Sequence, residues 1–324
     1  MPCFFFVVQQ FALAEPEPSC HSLVVLEGQK WKELRKAITP TFTASKMKQM
    51  SNIINQKIDS LTNRLAVQAE NLESFDIYEN FQALTLDVIG QCAFGMEVNC
   101  QTDNNDPFLL DAKELFRLFD MKNFPLNDKS VDMLHLLLEQ QEWELTDGVI
   151  VGNAYTFLLA GYDTTSTALA FTAWLLAKYP EVQKKLQDEM DEKFEKNDND
   201  NPDLLIEEQS SVNYYSKSAI DLGRHGFMTG MPYLDAVFRD SLRLFPPVIT
   251  FVQRGCVEEC QIMGHRFAAN TDVYIPVYDI HRDPNLWPDP DRFHPESGLA
   301  SQGTESIDRF IKMIATFRVS LSKE

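Results

Sequence analysis

The stretch from Thr146 to Leu176 constrains the fold more than any other part of this sequence. Its apolar residues, Val149, Ile150, Phe157, Leu158, Leu159, Ala160 and onward to Leu176, fall on nearly every side of a helical wheel. A helix that is apolar all round has to be buried. At about thirty residues it is also far longer than the mean globular helix of about 11–12. Thr146 can cap it, and Asp147 suits a first turn where the positive end of the helix dipole favours an acid. In the middle stand Ala160, Gly161, Tyr162, Asp163, Thr164 and Thr165. An ionised carboxylate is costly in apolar surroundings, and a glycine weakens a helix interior. Two readings of this interruption stay open. One is room for a small ligand with a route for protons. The other is a close-packing glycine and a threonine hydroxyl bonded back to the preceding turn.

The rest of the chain supplies elements around this helix. Trp31 and Arg35 are four residues apart after Gly28 and Gln29, so they share a helix face, and Pro40 breaks the run. Thr43 to Leu65 has helical spacing of Met47, Met50, Ile54, Ile58 and Leu61. Phe75 to Phe94 places Leu84, Val88 and Ile89 on one face, with Gly95 as a stop. Residues 97–107 crowd Asn and Asp into a loop. Further helices are predicted over Asp111 to Phe119, Val131 to Leu138, Glu181 to Lys196 after Pro180, and Tyr233 to Leu244 with Pro232 at its first position. Residues 197–230 read as an irregular connection of unusual length. Val248 to Arg254, Gln261 to Phe267 and Asp272 to Ile275 read as strands of a small sheet. Pro284, Pro288, Pro290 and Pro295 make 281–296 a meandering coil, and a weak amphipathic helix is predicted from residue 301. The fold class is mainly α with a small β-sheet (α+β), in one large domain or two small ones.

Composition narrows the function classes. With 29 basic and 48 acidic residues the net charge is −19, which repels nucleic-acid backbones and argues against a nucleic-acid partner. The 23 Phe outnumber the 9 Tyr and 4 Trp together. That suits either an apolar ligand cavity or simply a Phe-rich core. The cysteines at 3, 20, 92, 100, 256 and 260 contain no C-x-x-C pair, so neither zinc ligation nor a disulfide framework is expected. The apolar run Phe4 to Val8 is too short to span a bilayer and lacks the basic start of a signal peptide.

The segment Ala160 to Thr165 resembles the distal, oxygen-facing part of the long central helix of the cytochrome P450 family, and other motifs of that family follow in the expected order. By that resemblance Asp163 relays protons, Thr164 hydrogen-bonds bound oxygen, and Ala160 and Gly161 lie over a haem. Trp31 and Arg35 resemble the family's WxxxR pair, whose side chains reach haem propionates. An Arg fork and an indole N–H suit a carboxylate, whereas an exposed Arg beside a core Trp is the plainer reading. Asp240 and Arg243 occupy the place of the ExxR pair, with Asp one methylene shorter than Glu. Arg254 resembles the strand arginine that points at a propionate, its alternative being a surface strand Arg. His281 to Pro284, Trp287 to Pro290, Arg292-Phe293 and Pro295-Glu296 lead into the PERF element, where Ser297 and Gly298 replace Arg and Phe.

The resemblance implies an incomplete cytochrome P450 fold over 22–298, a roof shortened near 123–140 and an irregular insert near 211–230. Residues 1–21 are read as an atypical N-terminus without the usual membrane anchor. Residues 299–324 hold no Cys, and stand as an unrecognisable tail where the haem-ligand loop belongs. The implied cofactor is haem, and the implied partners are an apolar small-molecule substrate, O2 and an electron-donating reductase. The implied activity inserts one oxygen atom into a xenobiotic or lipid. The alternative is a catalytically inactive, truncated relative without the axial thiolate, which promotes O–O cleavage. The family's place is the endoplasmic reticulum membrane. This chain, read as lacking the anchor, is expected in the cytoplasm or aggregated.

Overall fold

The computed structural model describes residues 19–26, 28–71, 74–103, 105–115, 147–200, 231–248, 253–256, 259–262, 265–269 and 271–299. The expected roof, the helix over Val131 to Leu138, the insert near 211–230, the chain's first 18 residues and the helix from residue 301 lie outside these residues. The described part is mostly helical with small antiparallel strand pairs, the α+β character expected. It divides into two compact units, residues 1–170 with 191–227, and residues 171–190 with 228–324.

In the first unit lie α1 (Gly28–Ile38), α2 (Ala44–Glu70), α3 (Ile77–Phe94), α4 (Pro107–Leu115) and α5 (Asp147–Lys178) as far as Ala170. The start of α3 is set by Asp76, whose side chain accepts from the Tyr78 N–H at 2.9 Å. Its end is Gly95 at φ 61°, a left-handed conformation that glycine adopts without a Cβ penalty. The helix expected from Asp111 starts earlier. Asp106 accepts from the Phe108 N–H at 2.8 Å, and Pro107, with no N–H to lose, takes the first helical position. Leu86, Phe94, Val98, Phe108, Leu158 and Tyr162 form the core among α3, α4 and α5. Each fully buried Leu or Phe among them contributes about 1.5–3 kcal/mol.

Two buried polar groups tie irregular chain to this core. Asp87 is buried in α3 and accepts from the Cys100 N–H at 2.6 Å and the Gln101 side-chain amide at 3.1 Å. Lys57 of α2 lies 3.7 Å from the same carboxylate. Asn153 of α5 is 0% exposed. Its Oδ1 accepts from the Leu23 N–H at 2.9 Å, and its Nδ2 donates to the Val149 carbonyl at 2.7 Å and the His21 carbonyl at 3.3 Å. The segment that leads into α1 is thereby held to the central helix.

The second unit takes the end of α5 from Phe171, most of α6 (Pro180–Asp200), α7 (Pro232–Leu244), β1 (Gln253–Cys256), β2 (Cys260–Ile262), β3 (His265–Phe267), β4 (Thr271–Tyr274), α8 (Val277–Ile280) and α9 (Glu296–Leu299). β1 pairs with β4 from Gln253↔Tyr274 to Cys256↔Thr271. Gln261 to Phe267 was expected as one strand but is a hairpin: β2 and β3 pair from Cys260↔Phe267 to Ile262↔His265. Met263 and Gly264 separate the two, and a glycine inside a strand pattern favours a bend over continuation. Leu175, Val182, Leu186, Val237, Leu244 and Phe293 make the core of this unit. Phe171 stacks on Phe245 with centroids 4.3 Å apart, and Trp174 meets the same ring edge-on. Glu189 of α6 accepts from the Tyr233 and Leu234 N–H groups at 2.8 and 2.9 Å, capping α7 from outside its own sequence.

Candidate functional site

The central helix is buried from Gly152 to Tyr155 and again from Ser166 to Ala168. Between these stretches it opens. Ala160 and Thr165 are exposed, and Gly161, Asp163 and Thr164 are half-buried, while Tyr162 stays in the core. Ala160 and Thr164 are one turn apart and share a face. Gly161 turns another way, toward α3, where a Cβ would overlap the Ile89 Cδ1. The Thr164 hydroxyl donates to the Ala160 carbonyl. Both local features of the plainer reading, a packing glycine and a back-bonded threonine, are therefore present, and an uncovered face is present beside them.

Asp163 is not an orphan charge. The Tyr78 hydroxyl, from the first turn of α3, donates to its Oδ1 at 2.8 Å. Burial raises the carboxyl's pKa, and the Tyr78 hydrogen bond acts in the opposite sense by favouring the charged form. Tyr78 itself titrates above the ordinary phenol range, through burial first and the Asp163 charge second. Ser166 donates to the Asp163 backbone carbonyl at 3.1 Å. No spacing rule could have found Tyr78, since 85 residues separate it from Asp163.

Trp31 is no core residue. It is 36% exposed, and the Arg35 guanidinium stands 5.6 Å from its ring centroid on the outward face of α1. That leaves the indole and guanidinium of one helix face presented together to whatever lies beyond. Arg254 sits on β1 opposite Val273, in the second unit. Val248, at the start of the expected strand, is half-buried, and residues 249–252 lie outside the described residues.

Asp240 and Arg243 meet despite the shorter acid. Arg243 Nε lies 2.5 Å from Asp240 Oδ1, and both side chains are about 5% exposed (5% and 6%). The other Asp240 oxygen accepts from the His294 N–H at 2.6 Å. The rest of the guanidinium donates to the carbonyls of His281 (3.2 Å), Pro290 (2.5 Å) and Arg292 (2.8 Å). It also lies 4.8 Å from the Trp287 ring centroid. The proline-rich coil thus satisfies the pair with backbone groups, with Ser297 standing where the family's PERF element has Arg. Glu296 binds Lys185 and the Tyr233 hydroxyl instead.

Burial pushes the Cys92 thiol up to about 11 and that of Cys100 higher still, so both remain protonated. Among the described residues, no group of three or more His, Cys, Asp or Glu could hold a metal ion. Among the same residues, no helix is long and apolar enough to cross a membrane.

Comparison with known proteins agrees with this architecture. The family model for Cytochrome P450 matches residues 9–141 and 121–311. Similar curated proteins include Cytochrome P450 3A14 of Cavia porcellus, 30% identical over 89% of this chain and 62% of its own length. Cytochrome P450 3A12 of Canis lupus familiaris is 30% identical over 88% of this chain and 61% of its own length. Cytochrome P450 3A29 of Sus scrofa is 29% identical over 85% and 60%. The chain therefore spans less than two thirds of the length of these relatives. A buried central helix opened at an acid and two threonines, an acid–arginine pair locked into a proline-rich coil, and matches along most of the sequence together place this chain in the cytochrome P450 family.

Proposed function

We propose that this chain is the distal and structural portion of a haem-dependent monooxygenase acting on an apolar organic substrate, a xenobiotic or lipid. One observation carries the reading: the greasy central helix exposes Ala160 and Thr165 between two buried stretches. A small apolar side chain left uncovered there suits a flat, largely apolar group lying against it. The outward Trp31 and Arg35 fit the same group, because the stacked guanidinium and indole N–H offer donors to a propionate carboxylate. By family resemblance, Arg254 is also proposed as a donor to a haem propionate.

Haem, when bound, supplies the oxygen activation, with electrons from a reductase. The protein's own residues orient and move protons. Asp163, its pKa raised by burial, holds a proton to higher pH than an ordinary carboxylate, as a proton-relaying acid requires. The Thr164 hydroxyl proton is directed to the Ala160 carbonyl, which leaves its oxygen lone pairs free to accept. The Asp240–Arg243 pair and the coil around it act as structure. By family, the proposed place is the endoplasmic reticulum membrane.

The test is a haemin titration of the purified full chain. A saturable Soret shift is expected, weakened about tenfold or more by Arg35→Ala for the loss of a charge-assisted hydrogen bond. It should also be weakened by Ala160→Phe, which fills the open face. A titration without saturation overturns the proposal. A second reading is a non-enzymatic relative, favoured by Ser297 and Gly298 standing where the family's PERF element has Arg and Phe. On that second reading, the reduced chain with haem and carbon monoxide is expected to lack a thiolate-type Soret band. Appearance of that band would remove the second reading.

A further inference from the structure

We propose that Tyr78 is the positioning residue of Asp163, fixing the carboxylate beside α3. The inference rests on the reading of Asp163 as the proton-handling acid, and adds to it a residue on another helix that orients the acid. The geometry carries it. Tyr78 O–H donates to Asp163 Oδ1 at 2.8 Å, and both side chains are half-buried. Thr164 spends its proton on Ala160, so the acid and the alcohol next to it in sequence have separate partners. Among the described residues no basic side chain pairs with Asp163, so the phenol takes the place a cation would fill.

The groups around the carboxylate are few. Tyr78 faces it from α3, and Tyr162 lies beside it on α5, held protonated mainly by burial. The Ser166 and Thr167 hydroxyls lie against the Tyr78 phenol. None of these is a base at neutral pH, and among them the Tyr78 phenol donates to the carboxylate. A phenol O–H donated to a carboxylate favours the charged acid. Removing it should leave Asp163 in the same apolar surroundings with less to hold its charge.

The experiment is an infrared titration of the full chain carrying 13C-carboxyl Asp, with Asp163→Asn identifying the Asp163 band. In Tyr78→Phe the Asp163 band is expected to titrate at higher pH than in the parent, at unchanged helix content. Superimposed titration curves overturn the proposal. Should Tyr78→Phe not fold, the pair is read from its other end. In Asp163→Asn one phenol should ionise at lower pH than in the parent by ultraviolet titration, and an unchanged phenol titration overturns the proposal. Neither readout needs haem. A shifted band in a chain that fails to bind haemin would keep the Tyr78–Asp163 pairing and remove the monooxygenase reading.

Discussion

Asp240 bridges two parts of the second unit: one carboxylate oxygen holds Arg243 Nε at 2.5 Å, the other the backbone N–H of His294 at 2.6 Å. Removing one member of a buried pair leaves the other charged and unmatched, which costs about 3–5 kcal/mol. Asp240→Ala should therefore destabilise the chain by about that much, read as a lower midpoint in urea. Asp240→Glu tests the length of the acid. Both oxygens of the shorter side chain are already seated, so the added methylene overpacks the site at about 1–3 kcal/mol. An unchanged midpoint for both variants would deny the pair its structural role.

His281 gives the same network a pH dependence. Burial, with the nearby Arg243 and Arg282 charges, holds its imidazole below the ordinary His value. Between that ordinary value and the lowered one, the unfolded chain binds the proton and the folded chain does not. Stability is therefore retained above about pH 6.5 and lost as pH falls below it. The thermal midpoint should drop between about pH 7.5 and about pH 5.5, and the drop should be smaller in His281→Gln. Equal slopes for the two proteins would assign the pH dependence to other groups.

Asn153 should matter more for where the chain is cut than its single side chain suggests. In Asn153→Leu the Leu23 N–H and the His21 carbonyl lose a buried partner, at about 1–3 kcal/mol for an unsatisfied group. Limited proteolysis should then cleave residues 19–26 earlier than in the parent. Unaltered cleavage kinetics there would count against the clamp.

Gly161 sets two effects against each other. Alanine gains about 1 kcal/mol of helix propensity, yet its Cβ would overlap Ile89, and overpacking costs about 1–3 kcal/mol. Ile89 packs against the buried core, which leaves the end of its side chain little room to turn aside, so the overlap should win and Gly161→Ala should lower stability. Ile89→Ala should remove most of that penalty, a coupling of about 0.5–3 kcal/mol in a double-mutant cycle. Additive effects would show that the two helices do not touch there.

What the sequence made legible was local. The central helix announced itself by apolar residues on every side, and the structure extends it only to Lys178. Asp240 and Arg243, three apart, are neighbours on any helix, and Pro232 at a first helical position needed no tertiary information. The contacts that give these residues their character were not legible. Tyr78 reaches Asp163 across 85 residues, and backbone carbonyls of a coil, which carry no residue signature, complete the shell of Arg243. The single strand expected over Gln261 to Phe267 failed because alternation alone does not tell one strand from two that fold back on each other.

The capping of α7 by Glu189 has a consequence for assembly. The amides of Tyr233 and Leu234 find their acceptor 44 and 45 residues upstream, on a different helix. A peptide covering Pro232 to Leu244 alone would start with those amides turned to water and would fray from that end. The helix that bears Asp240 is therefore joined to α6 by the covalent chain, by a shared apolar core and by one carboxylate.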